Sequence, residues 1–232
     1  MTVSVSELSA STQNYLKAVW TLSEWSETPV TPSLIAERTE LKMSSVSDAV
    51  RKLTAQGLLD HSPYGAVELT ETGRAYAVAM VRRHRLIETF LVNVLGYGWD
   101  QVHDEAEHLE HAVSDFMIER IDLLLGRPSR DPHGDPIPAA DGTIVVPPAV
   151  QLSSVAVGEA GAADALAVVI ERISDDDPAL LQFFEDRGLV LGARLSVREG
   201  APFSGSLEVV IDEGDPVALG RAATDALYVS LG

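Results

Sequence analysis

Cysteine is absent from the 232 residues. That excludes disulfide staples and thiolate metal sites, and it fits a cytoplasmic location. Lysine is almost absent: Lys17, Lys42 and Lys52 are the only three. No apolar run approaches the roughly 18–20 residues that cross a bilayer, so no membrane partner is expected. The N-terminus MTVSVSELSAS lacks the basic start and apolar core of a secretory signal. Basic charge is short overall, and the formal net charge of −18 looks hostile to nucleic acid. The deficit is uneven, however. Residues 1–75 carry 6 basic and 9 acidic side chains, residues 76–140 carry 6 and 11, and residues 141–232 carry 5 and 15. The acidity gathers at the far end, leaving the first third able to face a phosphate backbone. Apolar residues make up 46% of the chain, enough for real cores in a length comfortable for two domains.

The first 75 residues read as helix, helix, helix, hairpin. Tyr15, Val19 and Leu22, flanked by Leu16 and Trp20, recur at helical spacing. Thr31-Pro32 is a helix start, with Thr as N-cap and Pro at the first helical position. After the tight connection Leu41-Lys42-Met43, a second start is expected at Ser44-Ser45, and Gly57 ends that helix. LLDHSPYGAVELT follows as a hairpin with a turn-rich tip. Two short helices across a tight turn, then a wing, form a winged helix-turn-helix. The plainer alternative is a small helical domain without a nucleic-acid role.

A long helix is predicted from about Glu71 to Leu95 and a second from about Asp100 to Leu125. Gly126 to about Pro148 is rich in Pro and Gly and reads as a linker or irregular arm. Beyond it the β-branched runs AVVIERI, ARLSVRE, LEVVI and LYVSL, with one helix at DPALLQFFEDRG, predict a small β-barrel-like domain.

HDEAEHLEH, residues 103–111, is the densest run of ligand-type side chains. On a helix, His103, Glu107, Glu110 and His111 share an arc of about 100°. Val102, Ala106, Leu109 and Val113 form a separate packing stripe, while Glu105 and His108 point elsewhere. His84 and Glu88 make a second i, i+4 pair on the preceding helix. Antiparallel packing of the two helices would bring His84, Glu88 and His103 to one ion and Glu107, Glu110 and His111 to another. A solvated acidic face is the plainer alternative. Such sulfur-free sets suit Mn2+, Fe2+, Co2+ or Zn2+. Glu105-Ala-Glu-His108 matches half of a di-iron carboxylate motif, but no second copy exists. No zinc-protease, nucleophile-elbow or phosphate-loop pattern is present either.

The segments RRHRLIETFLVNVLG, VHDEAEHLEHAVSD and DPHGDPIP, in this order behind a winged helix, resemble the diphtheria toxin repressor family of metal-dependent transcriptional regulators. The resemblance covers essentially the whole chain and is most specific in its middle. It implies a mainly α protein with a small β part. Residues 1–75 would be the winged-helix DNA-binding domain and 76–140 a helical metal-binding and dimerisation domain. Residues 141–232 would be a linker and a small β-barrel (FeoA-like) domain. It further implies a non-enzymatic homodimeric repressor that binds operator double-stranded DNA when loaded with a divalent ion at each of two sites. By the resemblance, one site takes His84, Glu88 and His103, joined by Glu171 and Asp175. The other takes Glu107, Glu110, His111 and Asn14 of the first helix.

Two departures bear on the metal. Glu107 stands where the iron branch of the family has Cys, and Asn14 where it has Met; oxygen donors favour Mn2+ over Fe2+ and disfavour thiophilic ions, with Fe2+ (an iron-dependent repressor) or Co2+ as the alternatives. The manganese branch usually has Asp at the Asn14 position, and one of its sub-branches has a Glu ligand where this chain has Lys17. Carboxylate repulsion is expected to keep the metal-free helices loosely arranged until an ion offsets it.

On the recognition helix, Ser44, Ser45 and Ser47 suit hydrogen bonds to phosphate, and Lys42, Arg51 and Lys52 suit its neutralisation. Asp48 can accept from a cytosine amino group, and Tyr64 at the wing tip can reach the sugar-phosphate edge. A metal-dependent enzyme using the same ligands, or a regulator sensing an organic molecule, are the rival functions. The helical faces give a direct test by mobility shift: Glu107→Ala should lose Mn2+ activation of DNA binding, and His108→Ala should keep it. Equal behaviour of the two variants would refute the face assignment.

Overall fold

The structure is a computed structural model and describes residues 4–62, 65–155, 165–212 and 214–231. It divides into two compact units. One comprises Met1–Ile87, Ala106–Ser129 and Ile137–Ile144; the other comprises Glu88–Glu105, Arg130–Pro136 and Val145–Gly232.

The first unit opens with a winged helix: α1 (Ala10–Glu24), α2 (Pro32–Arg38), α3 (Met43–Ala55), β1 (Leu59–His61) and β2 (Val67–Leu69). Thr31 caps α2 by accepting from the Leu34 N–H at 3.3 Å. The α3 helix begins at Met43 with Lys42 as its N-cap and no side-chain cap bond, so the start expected at Ser44-Ser45 lies slightly earlier. Ser44 and Ser45 therefore sit in the first turn, exposed, and do not occupy the cap. Gly57 takes φ +70° and closes α3: its N–H reaches Thr54 O and the Leu58 N–H reaches Leu53 O, both at 3.0 Å. The wing pairs Leu59 with Leu69 and His61 with Val67. Leu16, Ile35, Val46, Leu53 and Leu59 are buried together beneath these elements, one apolar face from each helix.

From there α4 runs Glu71–Leu95, as the periodicity predicts. The single helix expected over Asp100–Leu125 is instead two, α5 (Val102–Leu109) and α6 (Asp115–Leu124). Buried Arg83 of α4 explains the break. Its guanidinium donates to Glu110 O at 3.1 Å, to Val113 O and to the Asp115 carboxylate. These bonds satisfy carbonyls that a helix end leaves orphaned. Ser114 then restarts the helix by accepting from the Met117 N–H at 3.2 Å.

The second unit is built on a six-stranded antiparallel sheet in the order β3-β8-β4-β5-β6-β7. Its strands are β3 (Val150–Gln151), β4 (Leu166–Ile173), β5 (Arg194–Glu199), β6 (Leu207–Ile211), β7 (Val217–Leu219) and β8 (Leu227–Leu231). Helices α7 (Pro178–Glu185) and α8 (Arg221–Ala226) accompany it. Asp177 caps α7, accepting from the Ala179 and Leu180 N–H groups. Phe184, Ile170, Leu152, Val197 and Leu227 fill the core. This is the small β domain that the alternating runs predict, attached to a mainly helical chain.

The Pro/Gly-rich stretch, read as a linker or irregular arm, is irregular but not a solvated linker: it is largely buried over residues 131–136. Asp131 Oδ1 accepts from the His133 and Asp135 N–H groups, both at 2.9 Å, and Arg130 bridges to Pro136. Gly134 is required there: at φ +92° a Cβ would lie 2.3 Å from Glu171 O. Among the described residues, no helix is long and apolar enough to cross a membrane.

Arg83→Met should therefore cost about 2–3 kcal/mol in urea unfolding, because it strands buried carbonyls and an acidic partner. A loss below about 1 kcal/mol would mean that the Ser114 cap alone sets the break.

Candidate metal centre

In the first unit α1 presents two faces. Tyr15, Leu16 and Val19 enter the winged-helix core, while Gln13, Asn14 and Lys17 lie at i, i+1 and i+4 on another side. Glu110 is fully buried. Its Oε2 lies 2.6 Å from His84 Nδ1, and its Oε1 lies 2.6 Å from Lys17 Nζ. Lys17 Nζ also donates to Glu107 Oε1 at 2.6 Å. His84, Glu107 and Glu110 offer ligand atoms within 4.8 Å of one another. Burial pushes the Glu110 carboxyl up, but the His84 hydrogen bond and the charges of His84 and Lys17 outweigh it. The group is held below the usual carboxylate range.

His111 lies just past the end of α5, and its Nδ1 is 2.7 Å from Gln13 Oε1. The Gln13 amide nitrogen donates to Val5 O at 2.7 Å and Leu8 O at 3.0 Å, so its oxygen is the end that meets the imidazole. Nδ1 must then carry the proton, which leaves the Nε2 lone pair, 3.7 Å from Glu110 Oε1, for an ion. The buried Oδ1 of Asn14 has no hydrogen-bond partner among the described residues, an expensive state unless a cation satisfies it. Donor chemistry, lone-pair direction and this orphaned oxygen all fit a divalent ion. The carboxylates, however, do not repel freely as expected, because Lys17 and His84 already compensate them.

The second unit holds another set. His103 Nδ1 is 2.9 Å from Asp175 Oδ2 and 3.4 Å from Glu88 Oε1. Glu88, Asp131 and His133 offer ligand atoms within 4.8 Å of one another. His133 Nε2 donates to Trp99 O at 2.7 Å, and its buried Nδ1 has no partner among the described residues. His84 precedes Glu88 by one turn of α4. Asp175 is held well below the usual carboxylate range: burial raises it, but the His103 bond and charge, with His133 and Arg172, prevail.

Glu171 is placed differently. The β4–β8 register shifts between Ile170 and Arg172, a bulge that leaves Glu171 without a cross-strand partner. Its carboxylate goes to Arg130 and Ser230, at 2.7 Å each. Arg172 turns inward to Asp135 at 2.8 Å. Asp131 and His133, which join Glu88 as a candidate donor set, and Gln13, which meets His111, were not among the candidates read from the sequence. The first two lie inside the DPHGDPIP motif, where Pro and Gly suggested a linker; nothing local marks Gln13.

On α3, Lys42, Ser44, Ser45, Ser47, Asp48, Arg51 and Lys52 are all exposed. Arg51 pairs with Asp48 at 2.8 Å on the open surface, where such pairs contribute little and yield readily to phosphate. Tyr64 lies outside the described residues.

A winged helix joined to buried imidazole–carboxylate sets defines a class of protein, the metal-binding DNA-binding regulator. Residues 7–67 match the iron dependent repressor N-terminal DNA binding domain, and residues 70–139 match its metal binding and dimerisation domain. Residues 151–231 match the FeoA domain. The iron-dependent repressor IdeR of Mycobacterium tuberculosis is 34% identical over 97% of this chain and 99% of its own length. The diphtheria toxin repressor of Corynebacterium diphtheriae is 37% identical over 58% of this chain and 59% of its own. A solved structure described as a manganese-dependent transcriptional repressor in complex with manganese is 50% identical, covers 95% of this chain and 99% of that one, and superposes with a TM-score of 0.86. The chain belongs to the iron-dependent (diphtheria toxin) repressor family: it is a metal-dependent transcriptional repressor, not an enzyme.

In chelator the second unit should show a pH signature. Burial lowers the His103 pKa, but hydrogen bonds and charges from Asp175 and Glu88 prevail and raise it to about 10 from 6.5. A raised histidine stabilises the fold fully below 6.5 and loses that contribution as pH climbs to about 10. The stability gap between wild type and His103→Gln in urea, with chelator present, should therefore shrink from pH 6 to pH 10. A constant gap would show that His103 is not charged in the metal-free protein.

Proposed function

We propose that this chain is a Mn2+-responsive repressor that binds operator DNA as a homodimer and controls metal-ion homeostasis genes. The carrying observation is the donor set around Glu110, made wholly of carboxylate, amide and imidazole. Hard oxygen donors without sulfur suit Mn2+ better than softer sites do. The solved manganese-dependent repressor at 50% identity supports the same reading, as does the manganese regulator SloR at 32% identity and a TM-score of 0.78.

One ion would be held by Glu107, Glu110, His111 and Asn14. A second would take His84, Glu88 and His103, with Asp175, Asp131 and His133 as further donors and Glu171 outside the set. The ion supplies positive charge among these carboxylates. The side chains do the rest: Gln13 orients His111, and Asn14 brings α1, hence the winged-helix core, into the same donor set. Residues 1–75 would read DNA, 76–140 bind metal and dimerise, and 141–232 form the appended β domain.

The chain's partner in dimerisation would be a second copy meeting the apolar residues that α6 leaves exposed, Phe116, Met117, Leu123 and Leu124. Two α3 helices would then enter successive major grooves about one turn, roughly 34–36 Å, apart. Lys42, Arg51 and Lys52 would neutralise phosphates, and Ser44, Ser45 and Ser47 would hydrogen-bond them. With so few basic contacts, affinity should be low without metal and sensitive to salt.

Selection of duplexes from a random pool in Mn2+, followed by mobility shift, tests this. Retardation should require Mn2+ and be reversed by EDTA. Stronger activation by Fe2+ than by Mn2+ would support an iron-responsive repressor instead. Binding indifferent to chelator would refute metal control.

A further inference from the structure

Lys17 is the one lysine that enters the candidate metal centre; Lys42, the N-cap of α3, and Lys52, in its last turn, are exposed. It is 8% exposed, and its ammonium group lies 2.6 Å from Glu107 Oε1 and 2.6 Å from Glu110 Oε1. These carboxylates are the ones read above as ligands. With His84 on Oε2, both oxygens of Glu110 are engaged by nitrogen cations or donors. A divalent ion can take Glu110 Oε1 only where Lys17 gives it up. The ammonium sits on a four-carbon stem with several rotatable bonds, so it can leave without moving the backbone.

We propose that Lys17 is a resident cation that competes with the divalent ion for Glu107 and Glu110, and so sets the metal concentration at which the chain responds. This rests on the metal-site reading above. Without Lys17, Glu107 and Glu110 would lose the ammonium group between them while His84 stays on Glu110 Oε2, and an incoming ion would have no lysine charge to displace from Oε1. A purely structural lysine, tying α1 to α5, makes the opposite prediction: its loss would disorder the site and weaken metal binding.

Mn2+ titration calorimetry on the full chain separates the two, using wild type, Lys17→Met, Lys17→Gln and Lys17→Arg. Removal of a unit charge a few ångströms from the ion should tighten Mn2+ binding by about tenfold or more in Lys17→Met and Lys17→Gln. Lys17→Arg, which keeps the charge, should show no tightening. Melting curves give a second readout: metal-free Lys17→Met should melt lower than wild type, with a larger upward shift on adding Mn2+. The glutamine variant keeps a donor for the carboxylates and covers a failure of the methionine variant to fold. Unchanged or weaker Mn2+ binding in both neutral variants, or equal tightening in Lys17→Arg, overturns the competition. A wild-type chain that binds no Mn2+ overturns the metal reading itself.

Discussion

A carboxylate with no solvent at all is the constraint around which the first unit is organised. Glu110 is fully buried, and an ionised carboxylate in that position is tolerated only with close compensating partners. Lys17 comes from α1, His84 from α4, and the Glu110 N–H continues the α5 ladder to Ala106 O at 2.9 Å. Three helices are thus tied at one residue, two through its side chain and one through its backbone. The same residue's carbonyl accepts from Arg83, whose remaining bonds end α5 and hold the start of α6. Electrostatic need and helix termination meet at one point in the chain.

That point is also where the candidate metal centre and the winged helix share a structural element. One side of α1 is buried in the winged-helix core through Leu16 and Val19. Another side carries Gln13, Asn14 and Lys17 toward the donors of α5. A change of cation among Glu107, Glu110 and Asn14 would act on a helix that cannot shift without disturbing the packing beneath α3. The interior is close-packed and favours discrete arrangements over gradual ones. The second unit follows the same rule with other residues, where Asp175, Glu88 and Asp131 surround His103 and His133.

Most of the winged helix was legible because its signals are local. Thr31-Pro32 starts a helix, Gly57 stops one, and the wing alternates around a turn. The apolar spacing of α4 predicted its bounds without help. Legibility ended where a distant side chain intervened. EHAVS, residues 110–114, contains neither Gly nor Pro and offers only Ser114 as a helix start; Arg83, some thirty residues earlier, makes the break. In DPHGDPIP the irregular turn was legible and its burial was not. Its turn formers are real, but the turn is buried, with Asp131 accepting from the backbone of His133 and Asp135.

The sequence by itself determined which residue types are available for chemistry and how they are spaced along each helix: no thiol, an imidazole–carboxylate arc at 103–111, and the His84/Glu88 pair. Spacing suffices there because a helix turns by a constant angle. Only the tertiary structure decided which of these groups meet. It put Lys17 between Glu107 and Glu110, set Gln13 behind His111, brought Asp131 and His133 beside Glu88, and used a bulge to send Glu171 to Arg130 and Ser230. Those choices depend on packing between segments far apart in the chain. Side-chain periodicity has no term for such contacts, and a buried charge can be satisfied only by what the fold brings to it.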